Sequence, residues 1–141
     1  MVEGSSGIEG LRARIGVELP AGVYQVERGM VQRFIQAIGD PNPLWQGMNC
    51  TPPTFIGTIG FDQIQPMLAS VPSGTLLHGS TELECYQPVR VGDTITVTAK
   101  IADIRERQGK MGKMTFLTLE LTYKNQKQQL AARCRQLTIY Y

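Results

Sequence analysis

An α+β fold, an antiparallel sheet curled around one enclosed helix, is what the amino-acid sequence predicts, and two observations carry it. From residue 75 onward apolar side chains recur with a period of two over four long stretches joined by short turns, which makes antiparallel pairing nearly forced. Ahead of them stands Phe55–Leu68, apolar around most of its helical circumference, and such a helix has to be enclosed. The sheet offers one apolar face and this helix is available to cover it.

Taken in order, residues 1–10 are rich in Gly and Ser and read as a flexible N-terminus, leaving residues 11–141 as one domain. A short helical turn is expected around Leu11–Ile15, and a brief strand over Gly22–Val26. In Glu27–Ile38 the apolar residues Met30, Phe34, Ile35 and Ile38 fall at helical spacing, and Gly39 stands where a C-terminal cap belongs. Residues 46–50 form a small loop. Thr51 then stands as a cap and Pro52 as the first helical residue, where its missing N–H costs nothing. Gly57 and Gly60 suit a close backbone approach by a strand or a ligand. The strands follow as Thr75–Val89, Thr94–Arg105, Met114–Asn125 and Gln129–Tyr141, read as a meander. In the second and third, Ile95, Val97, Ala99, Ile101 and then Leu117, Leu119, Leu121, Tyr123 form the inward set.

Length and composition exclude several functions. A chain of 141 residues with 42% apolar and 18% charged residues buries a core without needing metal or disulfides. A formal charge of +2, with no basic-aromatic stripe, does not point to nucleic acid. Its apolar runs are too short for a membrane span, and the N-terminus lacks a signal-peptide layout. Three scattered cysteines and a single histidine exclude an ordinary zinc cluster and disfavour a disulfide framework, so no metal and a reducing, cytoplasmic setting are expected.

The stretch "AIGDPNPLW", residues 37–45, places Asp40 and Asn42 in a proline-stiffened turn just past a helix end. Both residue types favour turns through their own backbone hydrogen bonds, and an Asp so placed can also act as a base. His78 in "LLHG" reads as a structural hydrogen-bonding residue, and Arg105, Arg107, Lys110 and Lys113 as a solvated hairpin tip, with phosphate binding the alternative.

Together "FIQAIGDPNPLW", "PPTF" and "LLHGSTELECYQPVRVGDTITV", in this order, resemble the MaoC-like hydratase/dehydratases of the hot-dog fold, in particular the branch of N-terminal dehydratase domains and non-catalytic dehydratase subunits. The resemblance spans about residues 23–140. It implies action on 3-hydroxyacyl or enoyl thioesters of coenzyme A or acyl carrier protein without a further cofactor, and pairing into a homodimer or with a related subunit. Active relatives carry G-D-x-N-P-x-H, matched here at Gly39, Asp40, Asn42 and Pro43; Trp45 occupies the histidine position. The stretch between Trp45 and "TPPTF", Gln46–Cys50, is also shorter than in relatives. Asp40 and Asn42 are thus the candidate catalytic residues. Trp45, Thr54, Phe55, Ile56 and Gly57 are the candidate substrate contacts, the N–H groups of residues 54–56 being placed to receive the thioester oxygen. Non-enzymatic acyl-thioester binding and a hot-dog thioesterase remain the alternatives, the latter requiring a helix carboxylate, for which Asp62 is available.

Overall fold

The computed structural model describes residues 6–47, 50–68, 74–110 and 112–141. Residues 1–5 of the expected flexible N-terminus, Met48 and Asn49 of the expected loop, and Met111 in the hairpin tip lie outside the described residues. Helix α1 (Ser6–Arg12) precedes strand β1 (Leu19–Gln25), then come α2 (Arg28–Ile38), a single turn α3 (Leu44–Gly47), a 3-10 segment over Pro53–Thr58 and α4 (Phe61–Leu68). Strands β2 (Leu76–Cys85), β3 (Thr94–Gly109), β4 (Gly112–Lys124) and β5 (Leu130–Tyr140) complete the chain. They form one five-stranded sheet in the order β1-β3-β4-β5-β2, with every pairing antiparallel.

The period-two reading holds on β3 and β4; β2 is exposed along nearly its whole length and β5 alternates only in part. Ile95, Val97, Ala99 and Ile101 on β3, and Leu117, Leu119, Leu121 and Tyr123 on β4, are all buried on one face. The meander holds for β3, β4 and β5 but not for the first of the four strands: β2 crosses to the far edge beside β5, and β1 takes the place next to β3. Residues 86–93 after β2 carry the crossover. Turn chemistry at "PVRVGD" marked a reversal without saying which strand comes next. α1 also lies earlier than the expected turn at Leu11–Ile15, reaching into the Gly/Ser-rich stretch, with Leu11 buried as its anchor.

Helix α2 ends as expected, with Gly39 in the left-handed region (φ 66°) returning its N–H to Ile35 and Gln36. Its buried residues are Val31 and Ile35, while Ile38 is half exposed, so the apolar stripe is turned slightly from the one read off the spacing.

The expected continuous helix Phe55–Leu68 is broken, and its second half is enclosed only at Ile64, with Asp62, Gln63, Gln65 and Pro66 exposed. Phe55, Ile56, Ile59 and Ile64 are all buried, yet the chain is 3-10 to Thr58 and α-helical only from Phe61. Two contacts explain the break. The buried Tyr123 hydroxyl donates to the Ile59 carbonyl at 2.9 Å, taking that acceptor from the helical ladder. Gly60 has φ 101° and lies against the sheet, where an added Cβ would stand 3.0 Å from a Val97 methyl and 3.3 Å from one of Leu121. Pro53, not Pro52, is the first residue of the 3-10 segment, and Thr51 is buried without capping it, its N–H bonded to the Val89 carbonyl. Among the described residues no helix is long and apolar enough to cross a membrane.

Tyr24 fastens α4 to β1. Its hydroxyl donates to Asp62 Oδ1 at 2.6 Å, and its ring covers Gly22, whose φ of 101° and missing side chain leave room for it. Burial, then the bond to Asp62 and its charge, push the Tyr24 hydroxyl up from 10.0 to about 12. A raised folded value means that stability is fully present below the unfolded value and falls as pH climbs from about 10 to about 12. The urea midpoint of the wild type is therefore expected to drop more steeply over that window than that of Tyr24→Phe. Parallel profiles for the two proteins would contradict the assignment.

Candidate functional site

The capped end of α2 delivers Asp40 into two successive side-chain turns. Asp40 Oδ1 accepts the Asn42 N–H at 3.0 Å, and Asn42 Oδ1 accepts the Leu44 N–H at 3.0 Å. Pro41 and Pro43 have no N–H to offer, so the side chains bond every second residue and set α3 going. That single turn aims the Trp45 indole back: its Nε1–H donates to Asp40 Oδ2 at 2.8 Å. Each oxygen of the carboxylate thus has a fixed donor, one from backbone and one from indole. The turn-forming and the chemical readings of Asp40 meet in this one arrangement.

Trp45 separates two hollows. One of about 230 Å³ lies over α2, with Arg28, Gln32 and Gln36 on its wall. The other, about 330 Å³, is walled mainly by Ile56, Cys85, Pro88, Val89 and the Ala131–Ala132 pair, with Trp45 and Cys50 at its side. Loop residues reach it because Cys50 bridges to Arg90 and Thr51 bonds to Val89 at 2.9 Å. An apolar wall with little polar interruption suits an acyl chain.

The expected site residues are only partly brought together. Trp45 and Ile56 line the larger hollow; Asp40 and Asn42 line neither, standing behind the indole. Phe55 turns into the core, where its ring meets Phe34 edge to face at 5.6 Å, so it is a packing residue. Thr54 is exposed, and Gly57 lies below Leu83 rather than on the hollow wall. The Phe55 N–H is already bonded to the Pro52 carbonyl at 2.9 Å. This removes one of the three donors expected for a thioester oxygen, because the segment winds as a 3-10 helix. Cys85 and the alanine pair were not foreseen. The small side chains of Ala131 and Ala132 in an otherwise bulky strand are the one local signal that space is left there.

Three further groups are placed away from this hollow. His78 Nε2 and Thr81 Oγ1 are hydrogen-bonded at 2.8 Å on β2. Asp62 is exposed in the first turn of α4 and held by Tyr24 and by Gln63. The Tyr24 bond keeps its carboxyl below the usual range. At the hairpin Lys113 and Arg12 both pair with Glu106, and Arg105 pairs with Asp103 at 2.8 Å. Arg105 and Arg107 line a hollow of about 570 Å³ on the outer face of the sheet, well away from Trp45.

A helix laid into a curled antiparallel sheet, with an Asp presented at the end of the preceding helix, defines a hot-dog domain of the dehydratase/hydratase class. Residues 13–133 match the FAS1-like, dehydratase domain region family, and the chain belongs to that family. A UPF0336 protein of Streptomyces avermitilis is 30% identical over 104 residues, covering 64% of this chain and 69% of that one. A UPF0336 protein of Thermobifida fusca is 28% identical over 117 residues, covering 73% and 74%. Among solved structures, a MaoC-like dehydratase superposes with a TM-score of 0.77 at 21% identity, over 92% of this chain and 43% of that one. The HadBC (3R-hydroxyacyl-ACP dehydratase) complex of Mycobacterium tuberculosis gives 0.75 at 16% identity, over 89% and 96%. The MaoC-like resemblance and the hot-dog fold read from the sequence therefore stand.

Proposed function

We propose that this chain is an acyl-thioester dehydratase-type subunit without the acid–base pair, acting on 3-hydroxyacyl or enoyl groups carried by coenzyme A or acyl carrier protein. The observation that carries it is the 2.8 Å bond from Trp45 Nε1 to Asp40 Oδ2. Adding water across a conjugated thioester needs a base for the water and a proton for the alpha carbon. Asp40 is of the right type for the base. Indole N–H only donates a hydrogen bond and transfers no proton near neutral pH, so the pair holds its shape without its chemistry. The apolar hollow beside Trp45 is suited to the acyl chain, and no further cofactor is called for.

The exposed edge strand β2 supports assembly with a second hot-dog chain, either a copy of itself or a subunit bearing the histidine. The HadBC and ChsH1–ChsH2 complexes of Mycobacterium tuberculosis, both similar in fold, are complexes of this kind. Three free cysteines suit a reducing, cytoplasmic setting. A thioesterase is the weaker reading, because Asp62, the carboxylate it requires, is clasped by Tyr24 and lies off the hollow.

Incubating the purified chain with crotonyl-CoA separates the readings. Neither hydration nor thiol release is expected. Hydration would establish a self-sufficient enzyme, and thiol release a thioesterase.

A further inference from the structure

The two hollows beside Trp45 share an apolar floor. Among the described residues only Trp45 and Cys50 line both. Val89 lines the acyl hollow and Val91 the hollow over α2. Arg90, between them, is bridged to Cys50 as an antiparallel strand residue, so its two neighbours fall on the same side of the chain. Val89 is buried in the core and Val91 packs against it. Past Val91 the floor runs on over Val31 and Ile35 of α2, both buried. Gln32, Gln36 and Gln46 are exposed and stand at the rim. An apolar surface thus passes Trp45 from one hollow to the other.

What interrupts this surface is the indole, and it is fixed. Cys50 offers only a small side chain, on a backbone held by the Arg90 bridge and by the Thr51–Val89 bond. Trp45 is the bulky partner. Its Nε1–H is tied to Asp40 Oδ2 at 2.8 Å, and Asp40 Oδ1 is tied in turn to the Asn42 N–H at 3.0 Å. Swinging the ring aside therefore breaks a hydrogen bond to a charged acceptor, one of the stronger kinds.

We infer that Trp45 sets acyl-chain length: clamped by Asp40, the indole is a partition that ends the chain within the hollow of about 330 Å³ and denies it the 230 Å³ over α2. The acyl group accepted is accordingly a short one that leaves the indole in place, and a long one has to displace it. The position that carries a histidine in active relatives is here a length-limiting wall. This role rests on the acyl-thioester reading of the larger hollow. The carrier's amide-bearing arm is the competing occupant of the hollow over α2, since the glutamines at its rim have matching carboxamides. The floor of Val31, Ile35 and Val91 favours methylenes instead.

Isothermal titration of the full chain with free coenzyme A and with butyryl-, hexanoyl-, octanoyl-, decanoyl- and dodecanoyl-CoA measures the length profile. For the wild type, affinity is expected to rise about fourfold with each methylene buried and then to level off. In Trp45→Ala the levelling is expected several carbons later. The dodecanoyl-to-butyryl affinity ratio should then rise by about tenfold or more, the equivalent of about two further buried methylenes. Val91→Phe refills the hollow over α2. Alone it is expected to leave the wild-type profile unchanged, and with Trp45→Ala to bring the levelling back to the wild-type length. That reversal distinguishes an opened partition from a general loosening of the site. Trp45→Phe keeps a ring in the packing but cannot bond Asp40, so it serves where Trp45→Ala fails to fold; a smaller shift in the same direction is expected. Levelling at one length in the wild type and in the Trp45 variants would overturn the partition. So would a loss of long-chain affinity in Val91→Phe alone, which would mean that the hollows are already joined. An equal change for free coenzyme A and every acyl-CoA would assign the hollow over α2 to the carrier arm and overturn it as well. Binding of no acyl-CoA by any of these chains would overturn the acyl-thioester reading, and the partition with it.

Discussion

Gly60→Ala is expected to lower stability by about 2–4 kcal/mol, the sum of holding an L-residue at positive φ and overfilling a packed core. The new methyl would stand 3.0 Å from Val97 and 3.3 Å from Leu121, on two strands that fix each other in the middle of the sheet, so neither can retreat cheaply. Gly57→Ala is the control. Its Cβ would meet only a Leu83 methyl at 4.0 Å, an ordinary contact, and its backbone is helical. Alanine there is expected to be neutral or to stabilise by less than about 1 kcal/mol through the unfolded state. Urea midpoints for the two variants give the comparison, and equal losses would show that the glycine at the helix break is not a packing requirement.

This pair of glycines also shows what was legible before the structure. Their spacing on a greasy segment announced a close approach to the sheet, and Gly60 makes one. That the approach breaks the helix was hidden, because the cause is Tyr123, 64 residues away, whose hydroxyl claims the Ile59 carbonyl. The strands of the hairpin β3–β4 were readable from alternation alone, since each buries one face in full. β2 was readable as a strand but not as an edge. Its neighbour is decided by which strand β5 can accept, and nothing local records that. The site divides in the same way. Gly39, Asp40 and Asn42 are local turn chemistry and were placed correctly at the end of α2. The bond between Asp40 and Trp45 spans only five residues, yet it depends on the single helical turn α3, too short to leave a periodic signal. Phe55 was named a substrate contact for its N–H at the helix entry, and nothing local told that the segment winds as a 3-10 helix and ties that N–H to the Pro52 carbonyl.

Hydratase activity is expected to appear when this chain is co-expressed with a related subunit carrying an intact G-D-x-N-P-x-H, and to be at background without it. Losing one member of an acid–base pair costs on the order of 10²–10⁴ in rate, so the gain on assembly should be of that size. In such a complex the chemistry belongs to the partner's Asp and His, and this chain contributes wall and acyl-binding surface. Asp40→Asn in this chain should then leave most of the complex's activity, because the amide oxygen can still accept one of the two hydrogen bonds that shape the turn. Loss of the complex's activity on that substitution would move the catalytic carboxylate back into this chain.

The most direct measurement is crotonyl-CoA hydration by the isolated wild-type protein and by isolated Asp40→Asn, purified side by side. With Asp40 held by Trp45 and no proton carrier at that position, both are expected at background and indistinguishable. Robust turnover by the wild type that Asp40→Asn abolishes would show that Asp40 is a working base and that a group other than Trp45 delivers the proton.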